Sequence, residues 1–143
     1  MAQNYKNHMR FFPLHHFVLT PLSLAYLGLV IASDNFQNAT GLDALRELLL
    51  PFLIFFLLLI ARIYALKNQD RLIRLEMRQR YFELTGKSFL AIEEKLGMKR
   101  IIALRFASNE ELVDLIEKAL AENLSPKDIK QSIQNWQADH MRV

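Results

Sequence analysis

From Phe11 to Ser33 the chain carries no Asp, Glu, Lys or Arg, a run of about 23 residues. At 1.5 Å per residue a helix of that length crosses the ~30 Å hydrocarbon core of a bilayer. Pro21 falls inside the run; a helix in lipid tolerates such a proline, usually with a kink. A second apolar block, Leu48–Leu66, also has the length of a span. Its one charge, Arg62, sits about a turn from the end, where a long side chain reaches the headgroups. Two such blocks in 143 residues predict a two-helix transmembrane hairpin. Val30-Ile31-Ala32 before Ser33 has the small-residue look of a signal-cleavage site. The apolar run is longer than a signal core, so we read it as a retained span.

Charge sets the expected orientation. Residues 1–16 carry Lys6 and Arg10 and no acid, whereas residues 33–47 carry Asp34, Asp43 and Glu47 against Arg46. Residues 61–87 carry seven bases (Arg62, Lys67, Arg71, Arg74, Arg78, Arg80, Lys87) against Asp70, Glu76 and Glu83. Basic flanks and an acidic connection place both termini in the cytoplasm and the 34–44 loop outside. The expected localisation is the inner, cytoplasmic membrane, as a multi-pass protein. The expected division is a cytoplasmic segment 1–12, the hairpin 13–66, a helical extension 67–86 and a small helical domain 87–143. The fold class read from these features is an all-α membrane protein. There is no cysteine, which removes disulfides, thiolate metal sites and a cysteine nucleophile.

No glycine or proline lies between Pro51 and Gly86. Thr40 with Asp43 three residues on is a start signal and Gly86 a stop signal, predicting one helix of about 40 residues. Lys67, Arg71, Arg74 and Arg78 are spaced four, three and four apart, so they share one basic stripe. They are the candidate contacts to lipid headgroups or a partner; His15, His16 and Arg62 are candidate interfacial residues. Asp70–Arg74 and Glu76–Arg80 have the four-apart spacing of helix-supporting ion pairs. Leu66, Ile73, Met77 and Leu84 form one apolar stripe, and Leu72, Leu75 and Phe82 lie on another face. Two apolar faces exceed what a solvated helix requires. One is expected to pack on the tail domain and the other to meet a second chain or the membrane.

Beyond Ser88, helix signals dominate. Ser88 opens a short helix with Phe89, Ile92 and Leu96 on one face, stopped by Gly97. Met98, Ile102 and Phe106 recur every four residues, although residues 99–106 are also compatible with a strand. Ser108 with Glu111 is a capping box opening a helix that turns Leu112, Leu115, Ile116, Ala119 and Leu120 inward. Ser125-Pro126 with Asp128 starts another, expected to carry Ile129, Ile133 and Trp136 on one side. Three or four short helices result.

Candidate chemistry is sparse. Thr85-Gly86-Lys87-Ser88 looks like the end of a phosphate-binding loop, but its leading glycine would fall at Tyr81 and a helix precedes it. His8, His15 and His16 cluster near the first span, with no histidine on the second to complete a haem or metal set. Glu110, Glu111, Asp114, Glu117 and Glu122 read as the solvated face of an amphipathic helix. The last two helices have a helix-turn-helix look, yet residues 88–143 carry eight bases and nine acids, the wrong balance for docking on nucleic acid. We therefore expect no catalytic, cofactor-binding or metal-binding residue, no cofactor and no nucleic-acid partner.

Six segments carry a family resemblance: Gln3–His8 (QNYKNH), Pro13–His16 (PLHH), Gln69–Arg78 (QDRLIRLEMR), Leu84–Lys87 (LTGK), Ile102–Ser108 (IALRFAS) and Trp136–Val143 (WQADHMRV). Together they resemble a family of short bacterial two-span membrane proteins known only as a numbered domain of unknown function. The resemblance implies two spans and a cytoplasmic tail and assigns no activity. The leading expectation is a non-enzymatic integral membrane subunit or adaptor. Its partners would be a bilayer with anionic headgroups and another membrane protein or itself. An oligomeric pore or transporter component, and a membrane-interface enzyme, are the alternatives.

Overall fold

The computed structural model describes Tyr5 and residues 11–139. Among them are seven α-helices and no strand. Contacts divide them into two compact units, residues 11–66 and residues 67–139.

In the first unit a π-helical turn, Leu14–Leu19, leads into α1, Thr20–Ala32. The Thr20 amide reaches back five residues to the His15 carbonyl. Pro21, which has no amide hydrogen to donate, is the second residue of α1, just after this looser turn. Ser33 ends α1 in extended conformation, and its hydroxyl accepts from the Phe36 amide at 3.3 Å. It thereby caps the short α2, Asp34–Gln37, inside the segment expected as a plain loop. Helix α3 runs from Leu42 to Thr85, 44 residues. It starts within two residues of Thr40 and stops at Gly86, whose φ of 68° is a left-handed value that favours glycine.

Both apolar helices have the length and composition of spans. Over Leu14–Ala32 the mean hydropathy reaches 1.6, over the apolar part of Leu42–Thr85 it reaches 2.5, and only 6% of each window is buried. Ser23 and Pro51 are the two buried positions in this unit. The half-buried ones recur at helical spacing, Tyr26, Leu27 and Val30 on α1, with Leu19 at the end of the π-helical turn, and Ile54, Phe55, Leu58 and Arg62 on α3. Each helix thus shields one stripe and exposes apolar side chains around the rest.

The second unit is built on the carboxy-terminal half of α3. Helices α4 (Leu90–Leu96), α5 (Met98–Leu104), α6 (Asn109–Ala121) and α7 (Pro126–Ser132) complete it. Ile73, Met77 and Tyr81 of α3, four residues apart, are buried with Phe89, Ile101, Leu104, Phe106, Leu112, Ile116 and Ile129 in one core. About 56 residues after Gly86 would make a marginal core alone; α3 supplies its missing wall. The expected stripe needs correction at its ends. Leu66 and Leu84 remain 37% and 39% exposed, and Tyr81, at 8%, takes the place in the core, following the i, i+4 ridge that helix packing uses.

Residues 98–104 are helical, which settles the helix-or-strand alternative. The expected face is only partly right. Ile101, Ala103 and Leu104 are fully buried with Phe106, whereas Met98 and Ile102 are half-buried at the margin. The Ser125–Asp128 capping box forms in both arms, and at Ser108 the Glu111 carboxylate accepts the N-cap amide. Helix α7 ends at Ser132, before Ile133 and Trp136. Those two residues follow in extended chain, and Trp136 makes an isolated antiparallel bridge with Ala107.

Candidate membrane and partner interface

The basic stripe divides into two pairs. Glu93 of α4, whose side chain is 11% exposed, draws in the carboxy-terminal pair. Arg78 donates Nε at 2.5 Å and Nη2 at 3.0 Å to the two Glu93 oxygens. Arg74 Nε lies 3.1 Å from the same carboxylate. Hydrogen bonding to Glu93 holds the Arg78 guanidinium above its ordinary pKa. Two cations on one carboxylate leave net positive charge, but their heads are anchored to α4. Lys67 and Arg71, both exposed, have no ion-pair partner among the described residues.

The expected four-apart pairs are not made. Arg74 goes to Glu93 and not to Asp70. Arg80 turns away from Glu76 and donates to Asn109 Oδ1 at 2.6 Å, the Arg105 carbonyl at 3.1 Å and the Ala107 carbonyl. A planar guanidinium fork suits three divergent acceptors as an ammonium does not. Burial lowers the Arg80 pKa from its ordinary value, and the carbonyls supply the hydrogen bonds that water would otherwise give.

Glu111 is a second hub. Beyond its capping bond from the Ser108 amide at 3.3 Å, it accepts the Gln134 amide at 3.0 Å and the Asn135 amide at 3.1 Å. Arg105, with its side chain 8% exposed, lies 2.8 Å from Asp139 and 4.7 Å over the Phe106 ring. A cleft of about 290 Å³ is lined by Glu76, Arg80, Arg105 and Asp139. Its arginines are already engaged, so it offers no free cation to a ligand. Glu93 did not stand out in the sequence, and Arg80 stood out only as the four-apart partner of Glu76, not as a clamp on the α5–α6 connection.

The interfacial candidates lie in the first unit. His15 and His16 are in the π-helical turn, their rings 5.1 Å apart and nearly perpendicular. His16 Nδ1 is 3.0 Å from the Phe12 carbonyl. Arg62 is half-buried on α3. His8 lies outside the described residues. No group of three or more His, Cys, Asp or Glu side chains capable of holding a metal occurs among the described residues.

The second apolar face of α3 is open. Leu72, Leu75 and Phe82 are 60%, 57% and 60% exposed. They lie opposite Ile73, Met77 and Tyr81, as 100° per residue requires. One family model, DUF6526, matches residues 1–143. The chain belongs to this family of unknown function. The match spans the whole chain, and the six segments that carried the resemblance fall at both ends and in the middle of it. Comparison with curated proteins and with solved structures gives no match. DUF6526 membership assigns no activity; the surfaces this chain leaves exposed include two apolar helices, Lys67 and Arg71 of the basic stripe, and the Leu72–Leu75–Phe82 face.

Proposed function

We propose that this chain is a two-span integral membrane adaptor, without catalytic activity of its own, whose helical tail docks a protein on the cytoplasmic face. The observation that carries the reading is the contrast in burial between the units. The apolar windows are 6% buried, while residues 67–139 enclose a core whose largest side chains are almost fully covered. Apolar side chains exposed around two helices call for lipid as their solvent. A packed tail with capped helices calls for water. Basic residues at 61–87 against acidic ones at 33–47 favour cytoplasmic termini and an external turn. Lys67 and Arg71 stand in the first turns after the apolar block, where each base near an anionic surface contributes on the order of 1 kcal/mol.

Alkaline extraction of native membranes, combined with topology mapping at Asn38 and at the carboxy terminus, tests this. The expected result is retention in the membrane, with Asn38 external and the tail cytoplasmic. Release into the alkaline supernatant would refute insertion. Solubilisation in mild detergent should then recover a stoichiometric complex; a lone monomer without crosslinked neighbours would refute the adaptor role.

A further inference from the structure

The open face of α3 has the spacing and charge of a coiled-coil seam. Leu72, Leu75, Gln79 and Phe82 are separated by three, four and three residues, the a–d–a–d pattern of a heptad repeat. In that register Arg71 and Arg78 occupy g positions, and Glu76 and Glu83 occupy e positions. A g residue meets the e residue five places on in a parallel partner. The intervals Arg71 to Glu76 and Arg78 to Glu83 are both five. In an antiparallel pair, g faces g and e faces e, which would oppose arginine to arginine and glutamate to glutamate.

We propose that α3 forms a parallel two-stranded coiled coil with a second copy of this chain across Leu72, Leu75, Gln79 and Phe82. Three features of the structure support it. The apolar seam residues are more than half exposed. The tail core grips the opposite face through Ile73, Met77 and Tyr81, so the seam is accessible with the tail folded. Gln79 donates to Glu83 at 2.8 Å, holding that carboxylate at the seam edge, and as the one polar a residue it fixes register. Arg78 already serves Glu93, so the Arg71–Glu76 pair decides orientation. The inference rests on the membrane reading above in one respect: copies inserted the same way present α3 in parallel.

The absence of cysteine gives a clean test with the full chain in lipid vesicles. Parallel pairing places position 75 beside 75 and 79 beside 79. Leu75→Cys and Gln79→Cys should each self-link on oxidation, and Glu94→Cys, exposed on α4, should not. Without the cysteines, Arg71→Glu or Glu76→Arg alone should weaken self-association about fivefold, from two symmetric pairs. The double swap should recover it to within about twofold. Rescue by the swap identifies a second copy as the occupant. If the swap is as weak as the singles, or weaker, lipid or another protein covers the face and the proposal fails. Crosslinking of 75 only to 79 in mixed samples would overturn the parallel arrangement. Alkaline extraction of the same vesicles separates the two readings. A chain that stays in the bilayer without self-linking overturns the dimer alone; one that leaves overturns both.

Discussion

Replacing Arg80 with methionine removes the three-armed clamp and keeps most of the aliphatic stem. The guanidinium holds Asn109 Oδ1 at 2.6 Å, the Arg105 carbonyl at 3.1 Å and the Ala107 carbonyl, fastening the α5–α6 connection to α3. A hydrogen bond to a charged group contributes about 1.5–3 kcal/mol. Three of them, offset by desolvation of a half-buried cation, leave an expected loss of about 2–3 kcal/mol for the pair of orphaned carbonyls and the lost fork. For a domain of this size each kcal/mol moves the melting midpoint by about 4–8 °C, so Arg80→Met should lower it by about 10–20 °C. Trp136 is the single tryptophan. It bridges Ala107 and packs 5.1 Å from the Phe106 ring, so its fluorescence reports the clamp directly. Arg80→Lys should recover less than half of what Arg80→Met loses, because one ammonium cannot span the fork. An Arg80→Met protein with an unchanged midpoint and unchanged Trp136 emission would refute the reasoning.

Three further outcomes are expected. Met77→Ala, at a side chain 1% exposed, should destabilise the tail by about 2–4 kcal/mol, while Leu72→Ala, at 60% exposure, should change the monomer's melting by less than about 0.5 kcal/mol; equal effects in melting curves would show that α3 is not the wall of the core. Glu93→Gln should release Arg74 and Arg78 from α4 and lower the melting midpoint by a few degrees, less than Arg80→Met; if combining it with Arg78→Gln gave the full sum of the single effects, the pair would not be coupled. The Ser125 hydroxyl, 2.6 Å from Asp128, leads the causes holding that carboxyl below its ordinary pKa. A depressed carboxyl stabilises the fold above its unfolded value and loses that contribution as pH falls through the folded one, so Asp128→Asn should flatten the loss of stability below about pH 4; identical acid slopes in wild type and variant would contradict this.

The elements legible in the sequence are those written in local signals. The apolar runs, the uninterrupted α3, its stop at Gly86 and the boxes at Ser108 and Ser125 all depend on residues a few places apart. What was missed depends on residues far apart. Helix α5 is seven residues long and apolar at Ile101, Ile102, Ala103 and Leu104, so its pattern names no unique inner face; packing against α4, α6 and α7 chooses one. The end of α7 was invisible because Glu111, 23 and 24 residues upstream, draws the Gln134 and Asn135 amides out of any helix. The residues of the basic stripe all lie on α3, yet the division of the stripe could not be read, since Glu93 lies 15 residues beyond Arg78. Four-apart pairing of Arg74 and Arg80 was a sound local expectation that better acceptors elsewhere in the fold displaced.

The turn at Leu14–Leu19 has a different kind of consequence. A π-helical turn accommodates more residues than an α-helical one, with each amide reaching five residues back as Thr20 does to His15. It therefore stores surplus chain length ahead of Pro21. Removing one residue from 14–19 would let the segment relax into ordinary α-helix. The face that α1 presents from Thr20 onward, with Ser23 at its centre, would stay where it is. The entry to the first apolar helix is a place where one residue can be lost without turning the face of α1.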